Sequence, residues 1–199
     1  MLETGAMAKQ GRDVTKPERV DARTVRSRQA LNDALLALLV AMPFDRITIR
    51  EISARARIGY ATFFRHYPTK EALLSDVASA KIAALVELVR PILAAADSAA
   101  LTRAVCDWVD EDRRLWAALL TGGAAGIVRE EFIEQGRMLQ SSGIHTRFVW
   151  LPADLVIIYA SGAVVDLLAW WLAQGTAMTS AEIAAIMDRL IFAPLGASA

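Results

Sequence analysis

Thr48-Ile49-Arg50-Glu51-Ile52-Ser53-Ala54-Arg55-Ala56-Arg57-Ile58-Gly59-Tyr60-Ala61-Thr62-Phe63-Phe64-Arg65-His66-Tyr67-Pro68-Thr69-Lys70 decides the fold class. Its first four residues have the pattern of a capping box. The Thr48 hydroxyl can accept from a backbone N–H, and Glu51 can reach back to the cap. A short helix therefore starts at Thr48, with Ile49, Ile52 and Ala56 pointing one way. Ile58 and Gly59 punctuate it. A second short helix runs through roughly Arg65, Pro68 stops it, and Thr69 can cap a long helix from Lys70.

Upstream, Leu31, Leu35, Leu38, Leu39 and Met42 recur at helical spacing, and Pro43 ends that helix by disfavouring the helical conformation before it. Residues 1–20 are polar, basic and aperiodic, and read as a flexible arm. Downstream, the long helix carries Leu73, Leu74, Val77, Leu85, Val86 and Val89, and Pro91 should kink or end it. From residue 99 onward every stretch still reads helical, broken at Gly122-Gly123, at Ser141-Ser142-Gly143 and at Gly175. Asp112 interrupts one stripe and can cap a new helix. Pro152 opens a very apolar helix, and Ser180 starts the last one, with Ile183, Ile186, Met187, Leu190 and Ile191 in register. The class is all-α: a three-helix helix-turn-helix unit over 21–68, then a helical ligand-binding and dimerisation domain over 69–199.

In a helix-turn-helix the second helix of the pair lies in the major groove. Here that helix is Gly59 to Arg65. Gly59 lets backbone N–H groups approach a phosphate. Tyr60, Ala61 and Thr62 come early, nearest to base edges. Arg65, His66 and Lys70 lie along the exit, where they can hold phosphates. Phe63 and Tyr67 read as core, whereas Phe64 stands open between core and DNA contact. Arg50, Arg55 and Arg57 read as an ordinary solvated face. Charge agrees with a polyanion partner. Formal net charge is zero, yet residues 1–75 hold 13 Lys and Arg against 8 Asp and Glu, and the remainder holds 9 against 14.

The run from Thr48 to Ile52, then from Ile58 to Leu74, resembles the N-terminal domain of TetR-family (TetR/AcrR-like) transcriptional regulators over about residues 23–75. A looser likeness covers Trp170-Trp171-Leu172, Gly175 and Ser180 to Ile183. The resemblance implies a homodimer, a palindromic DNA operator and a divergent helical domain for a small-molecule effector. It places DNA contacts at Thr48, Gly59, Tyr60, Ala61, Thr62, Phe64, Arg65, His66 and Lys70. Two departures stand out. Gly59 replaces a common Ser, and Phe64 replaces a common Tyr whose hydroxyl can bind phosphate.

The single cysteine, Cys106, rules out an intramolecular disulfide and fits a reducing, cytoplasmic compartment. No Gly-rich phosphate loop, metal-spaced cluster or nucleophile with a nearby base is present, so neither catalysis, nor a cofactor, nor a metal is expected. His145 receives no role. Residues 99–174 hold all five tryptophans. A mostly apolar effector pocket is expected beside Trp108, Trp116, Phe132 and Tyr159, with Asp112 meeting any charge on the effector. The alternative is that these aromatics only fill a core. Leu155–Ala173 approaches the length of a membrane span but contains Asp166 and lacks flanking cations nearby. The favoured reading is a dimer core with no membrane partner, using Ala160, Ala163, Val164, Leu167 and Trp171, with Ile183, Met187 and Leu190 from the last helix. A DNA-binding protein without an effector, and a membrane-anchored helical protein, remain as rivals.

Overall fold

A computed structural model describes residues 16–142 and 151–196, with side chains over 22–142 and 151–195. All regular structure among these residues is helical. Helix α1, Lys16–Leu39, begins inside the stretch that the sequence suggested was an arm. Its N-terminal half has no apolar stripe, so periodicity does not reveal it. Arg, Glu, Gln and Ala nevertheless favour helix, and Pro17 sits in the first turn, where its missing N–H costs nothing. Its C-terminal half buries Leu31, Ala34, Leu35, Leu38 and Leu39. A 3-10 turn, Phe44–Arg46, follows.

Helix α2, Ile49–Ala56, carries the capping box in full: Thr48 N–H donates to Glu51 Oε2 at 2.8 Å, and Glu51 N–H donates to Thr48 Oγ1 at 3.3 Å. It ends at Arg57, which is left-handed with φ 56° and ψ 39°. That conformation costs an L-residue about 1–2 kcal/mol, because Cβ crowds the following carbonyl. Helix α3, Tyr60–His66, follows after Gly59 and Ile58. Ile52, Phe63 and Tyr67 close the small core against α1.

Helix α4, Lys70–Ala94, is capped by Thr69, whose Oγ1 accepts from Ala72 N–H at 3.1 Å. It runs through Pro91 for a further three residues instead of ending there. Helix α5, Ser98–Glu111, stops at Asp112, and α6, Arg113–Leu120, restarts there. A 3-10 turn, Gly122–Ala124, leads into α7, Ala125–Ser141, with Gly122 at φ +76°. Helix α8, Ala153–Ala173, follows Pro152 and gives way to Gly175 at φ +67°. Thr179 and Glu182 make a second capping box for α9, Ser180–Met187. A π turn over Asp188–Phe192 and the four-residue α10, Ala193–Gly196, follow where the sequence suggested one regular helix. The body packs α4 on α7, α5 on α9, and α8 against α6 and α7.

The π turn leaves the register inferred for the last helix only partly buried. Ile183, Met187 and Ile191 are inside, whereas Leu190 is 61% exposed. Val164, Trp171, Ile183 and Met187, expected at a dimer contact, instead fill the chain's own core. Buried within their own chain, they present no surface to a partner. Ala160, Ala163 and Leu167 are half-buried. The outward stripe of α8 is Leu155, Ile158, Tyr159 and Trp170, all exposed. This helix is long and apolar enough to cross a membrane, yet its inner side is packed in protein.

Candidate DNA interface

Helix α3 turns one side inward and the other out. Phe63 is fully buried. Tyr60 and Phe64 are 50% and 46% exposed, with ring centroids 5.2 Å apart in an edge-on pair. Ala61 and Arg65 are exposed, while Thr62 and His66 are half-buried. Phe64 also contacts the Phe63 ring, at 5.5 Å, so its inner edge is supported while its outer edge is free. An aromatic pair half out of a small basic unit is an apolar surface without a cover inside the chain. Gly59 has an ordinary extended backbone, φ −62°, and a Cβ there would meet only Thr62 Oγ1, at 3.7 Å. Neither conformation nor crowding demands glycine at this cap.

The other sequence-identified positions have mixed settings. Thr48 is exposed, but its hydroxyl is committed to Glu51, at 2.8 Å from Oε2. The hydrogen bonds from Thr48 hold the Glu51 carboxyl below its usual range. Lys70 is half-buried, and its ammonium donates to the carbonyls of Phe44 at 3.0 Å and Ile47 at 2.9 Å, 4.5 Å above the Phe44 ring centroid. In this arrangement Lys70 ties the 44–46 turn to the start of α4, and a phosphate would have to share its donors.

A network that the sequence did not reveal fixes the end of α3. Tyr67, 4% exposed, donates its hydroxyl to Asp76 Oδ2 at 2.5 Å. Arg28 on α1 donates to the same hydroxyl at 3.2 Å and to Asp76 Oδ1 at 2.8 Å. The Asn32 amide lies 3.2 Å from the hydroxyl. Burial, and then the bond to Asp76, push the Tyr67 phenol up to about 12. Burial alone would raise the Asp76 carboxyl, but the bonds from Tyr67 and Arg28 outweigh it and leave it below its usual range. The four residues come from α1, the exit of α3 and α4, with no short spacing between these elements to betray them.

Charge compensation differs between the two parts of the chain. In the body, Lys81, Arg90, Arg103, Arg113, Arg129 and Arg137 each pair with a carboxylate, while Arg114 and Arg189 have none among the described residues. In the N-terminal unit Arg28 does so, whereas Arg23, Arg26, Arg46, Arg50, Arg55, Arg57 and Arg65 have no carboxylate partner among the described residues. Cations without carboxylate partners in one small unit raise the local potential, which favours a polyanion.

Residues 31–77 match the family of bacterial regulatory proteins known as the tetR family. The likeness to the tetR family lies in these residues, and the solved structures extend it to the fold alone. The chain is 36% identical over 73 residues to the uncharacterized HTH-type transcriptional regulator YxbF of Bacillus subtilis, a match covering 36% of this chain and about a fifth (19%) of that protein. A TetR transcriptional regulator of Streptococcus agalactiae superposes with TM-score 0.64 at 19% identity, over 89% of this chain and 99% of that one. The Thermus thermophilus FadR repressor, solved with lauroyl-CoA, superposes with TM-score 0.55 at 23% identity, over 82% of this chain and 92% of that one. Within the matched residues the helix-turn-helix pair is α2 and α3.

The effector-site residues named from sequence separate into two groups. Trp108 and Trp116 meet at 5.3 Å although the helix breaks between them, and Trp116 meets Phe132 at 6.4 Å. Trp116 is fully buried. Tyr159 makes no ring contact with them and stands half exposed on α8. Asp112 is exposed and lies 3.9 Å from Lys81. Polar pairs bridge α4 and α7 nearby: Ser75 with Glu131, and Ser79 with Gln135 at 3.0 Å. His145, Phe148 and Trp150 lie outside the described residues.

Proposed function

We propose that this protein is a sequence-specific DNA-binding regulator, a cytoplasmic homodimeric repressor that a small, mostly apolar molecule releases from a palindromic operator. The observation that carries the DNA reading is the set of arginines without carboxylate partners in the unit that presents a half-exposed α3. Tyr60, Ala61 and Thr62 read base edges, Phe64 packs on the sugar-phosphate wall, and Arg65 and His66 hold phosphates. Lys70 secures the unit from behind. Dimerisation uses the outward stripe of α8, with Leu155, Ile158, Tyr159 and Trp170 covering their copies and Leu190 at the margin. The effector opens space within the Trp108, Trp116 and Phe132 cluster, favouring a dimer whose α3 helices no longer match adjacent major grooves, about 34 Å apart.

Selection of bound sequences from random DNA tests this directly. A palindromic consensus is expected, with Tyr60→Ala and Thr62→Ala altering the preferred bases. Binding without sequence preference would refute the regulator reading. Quenching of tryptophan fluorescence by hydrophobic compounds, with DNA release, tests the effector. A Trp108→Ala protein that folds and responds fully would move the pocket elsewhere.

A further inference from the structure

The strain at Arg57 has no return inside the chain. The turn between α2 and α3 needs a left-handed residue, and glycine adopts that conformation without a Cβ penalty. Arg57 occupies it instead, at φ 56°. Its side chain is exposed and has neither an ion pair nor a hydrogen-bond partner among the described residues. Packing does not need it, and the turn's backbone bonds, from Arg57 N–H to the carbonyls of Ser53 and Ala54, would form equally with glycine. Residues kept in such conformations cluster at functional sites.

Beside Arg57 lies a concavity. The next residue, Ile58, forms one wall, and Arg23, Arg26, Ser27 and Ala30 form the other, enclosing about 560 Å³. The four α1 residues follow helical spacing, so they line one face of the helix just before its buried Leu31. Arg23 has no partner among the described residues, and Arg26 uses only Nε, towards Ala22 O at 3.1 Å. Among the described residues no carboxylate lines the notch. Guanidinium groups and a hydroxyl around an open, carboxylate-free hollow suit a phosphodiester. The notch also sits at the start of α3, beside the groove wall that a docked recognition helix must follow.

We infer that this notch is a DNA-backbone site, in which Arg23 and Arg26 from α1 hold a phosphate flanking the major groove and the exposed Arg57, one residue before the Ile58 wall, meets the backbone beside it. This rests on the DNA reading above and adds to it a positioning contact outside α3. The site carries no base information, so it acts on affinity and salt dependence and leaves sequence preference alone.

The test uses the full-length protein and its selected operator, with binding measured across a salt series. Arg57→Gly relaxes the turn while removing the charge, so Tm stays equal or rises by up to about 3 °C while DNA affinity falls. The slope of log K against log salt should fall by up to about two units, one per half-site. Arg23→Ala/Arg26→Ala should reproduce the loss, with the preferred sequence unchanged in both variants. Arg57→Gly protein with wild-type affinity and slope would overturn the proposal. If wild type itself selects no sequence, the DNA reading fails instead. Inorganic phosphate at fixed ionic strength, without DNA, should not raise Tm. A rise abolished by Arg57→Gly would make the notch a free-anion site and overturn the DNA assignment.

Discussion

Tyr67→Phe removes one oxygen from the junction of α1, α3 and α4 and little else. The ring stays, with its 6.1 Å contact to Phe63 and the Arg28 guanidinium 5.3 Å from its centroid. What disappears is the 2.5 Å bond to Asp76 and the acceptor for Arg28. Hydrogen bonds to charged groups contribute about 1.5–3 kcal/mol. The Asp76 side chain is 35% exposed and keeps Arg28, so water and the guanidinium recover part of the loss. The expected cost is about 1–2 kcal/mol, or a Tm lower by about 2–8 °C for a chain of this size. The phenol is raised in the folded state to about 12, above its ordinary value near 10. Its contribution is therefore fully present below about pH 10 and is lost as pH rises towards 12. Urea denaturation of wild type and variant should show a gap that is constant at neutral pH and narrows across that alkaline window. Equal stability at pH 7, or a gap unchanged at pH 12, would refute the role given to this hydroxyl.

Asp76, held low, contributes stability that is present above about pH 4 and lost as pH falls through its folded value, so Asp76→Asn should flatten the acid limb of the stability profile. Gly59→Ser should add a side-chain cap to α3 in unobstructed space and raise stability by a few tenths of a kcal/mol in thermal denaturation; a fall would mean a hidden clash. Trp170→Arg should keep the fold by circular dichroism and give a monomer by light scattering, whereas Trp171→Arg should unfold the chain, since only the latter is buried; a dimeric Trp170→Arg protein would place the interface elsewhere. Cys106, fully buried with its thiol pushed up to about 12 by burial, should resist iodoacetamide at pH 8 until the protein is denatured.

The elements were legible where local chemistry decides them. The starts of α2 and α4 follow from Thr48, Glu51 and Thr69, because caps act over three or four residues, whereas α2 ends at Arg57, two residues before the Gly59 that marks the turn in the sequence. The N-terminal half of α1 was not, since a polar helix leaves no stripe to read. Lys70 suited a phosphate by its place in the motif. Its bonds to carbonyls at 44 and 47 depend on a turn more than twenty residues away, which periodicity cannot bring near. The same holds for Tyr67 and Asp76 with Arg28. On α8, apolarity all round concealed which side faces inward. Trp170 and Trp171 are neighbours of one type, and only packing makes one exposed and the other fully buried.

The 44–46 turn has a mechanical consequence. A Cβ on Gly123 would overlap the Asp45 carboxylate, so the side chain of this turn rests on the bare backbone of the 122–124 segment, while Lys70 holds the turn's carbonyls. Asp45 is exposed, so its carboxylate can swing aside for a small side chain at 123. A bulky one would press on the turn itself, and with it on the Phe44 and Ile47 carbonyls that anchor Lys70 at the foot of α4. Position 123 is thus a point where a substitution in the body touches the N-terminal unit through a single side chain.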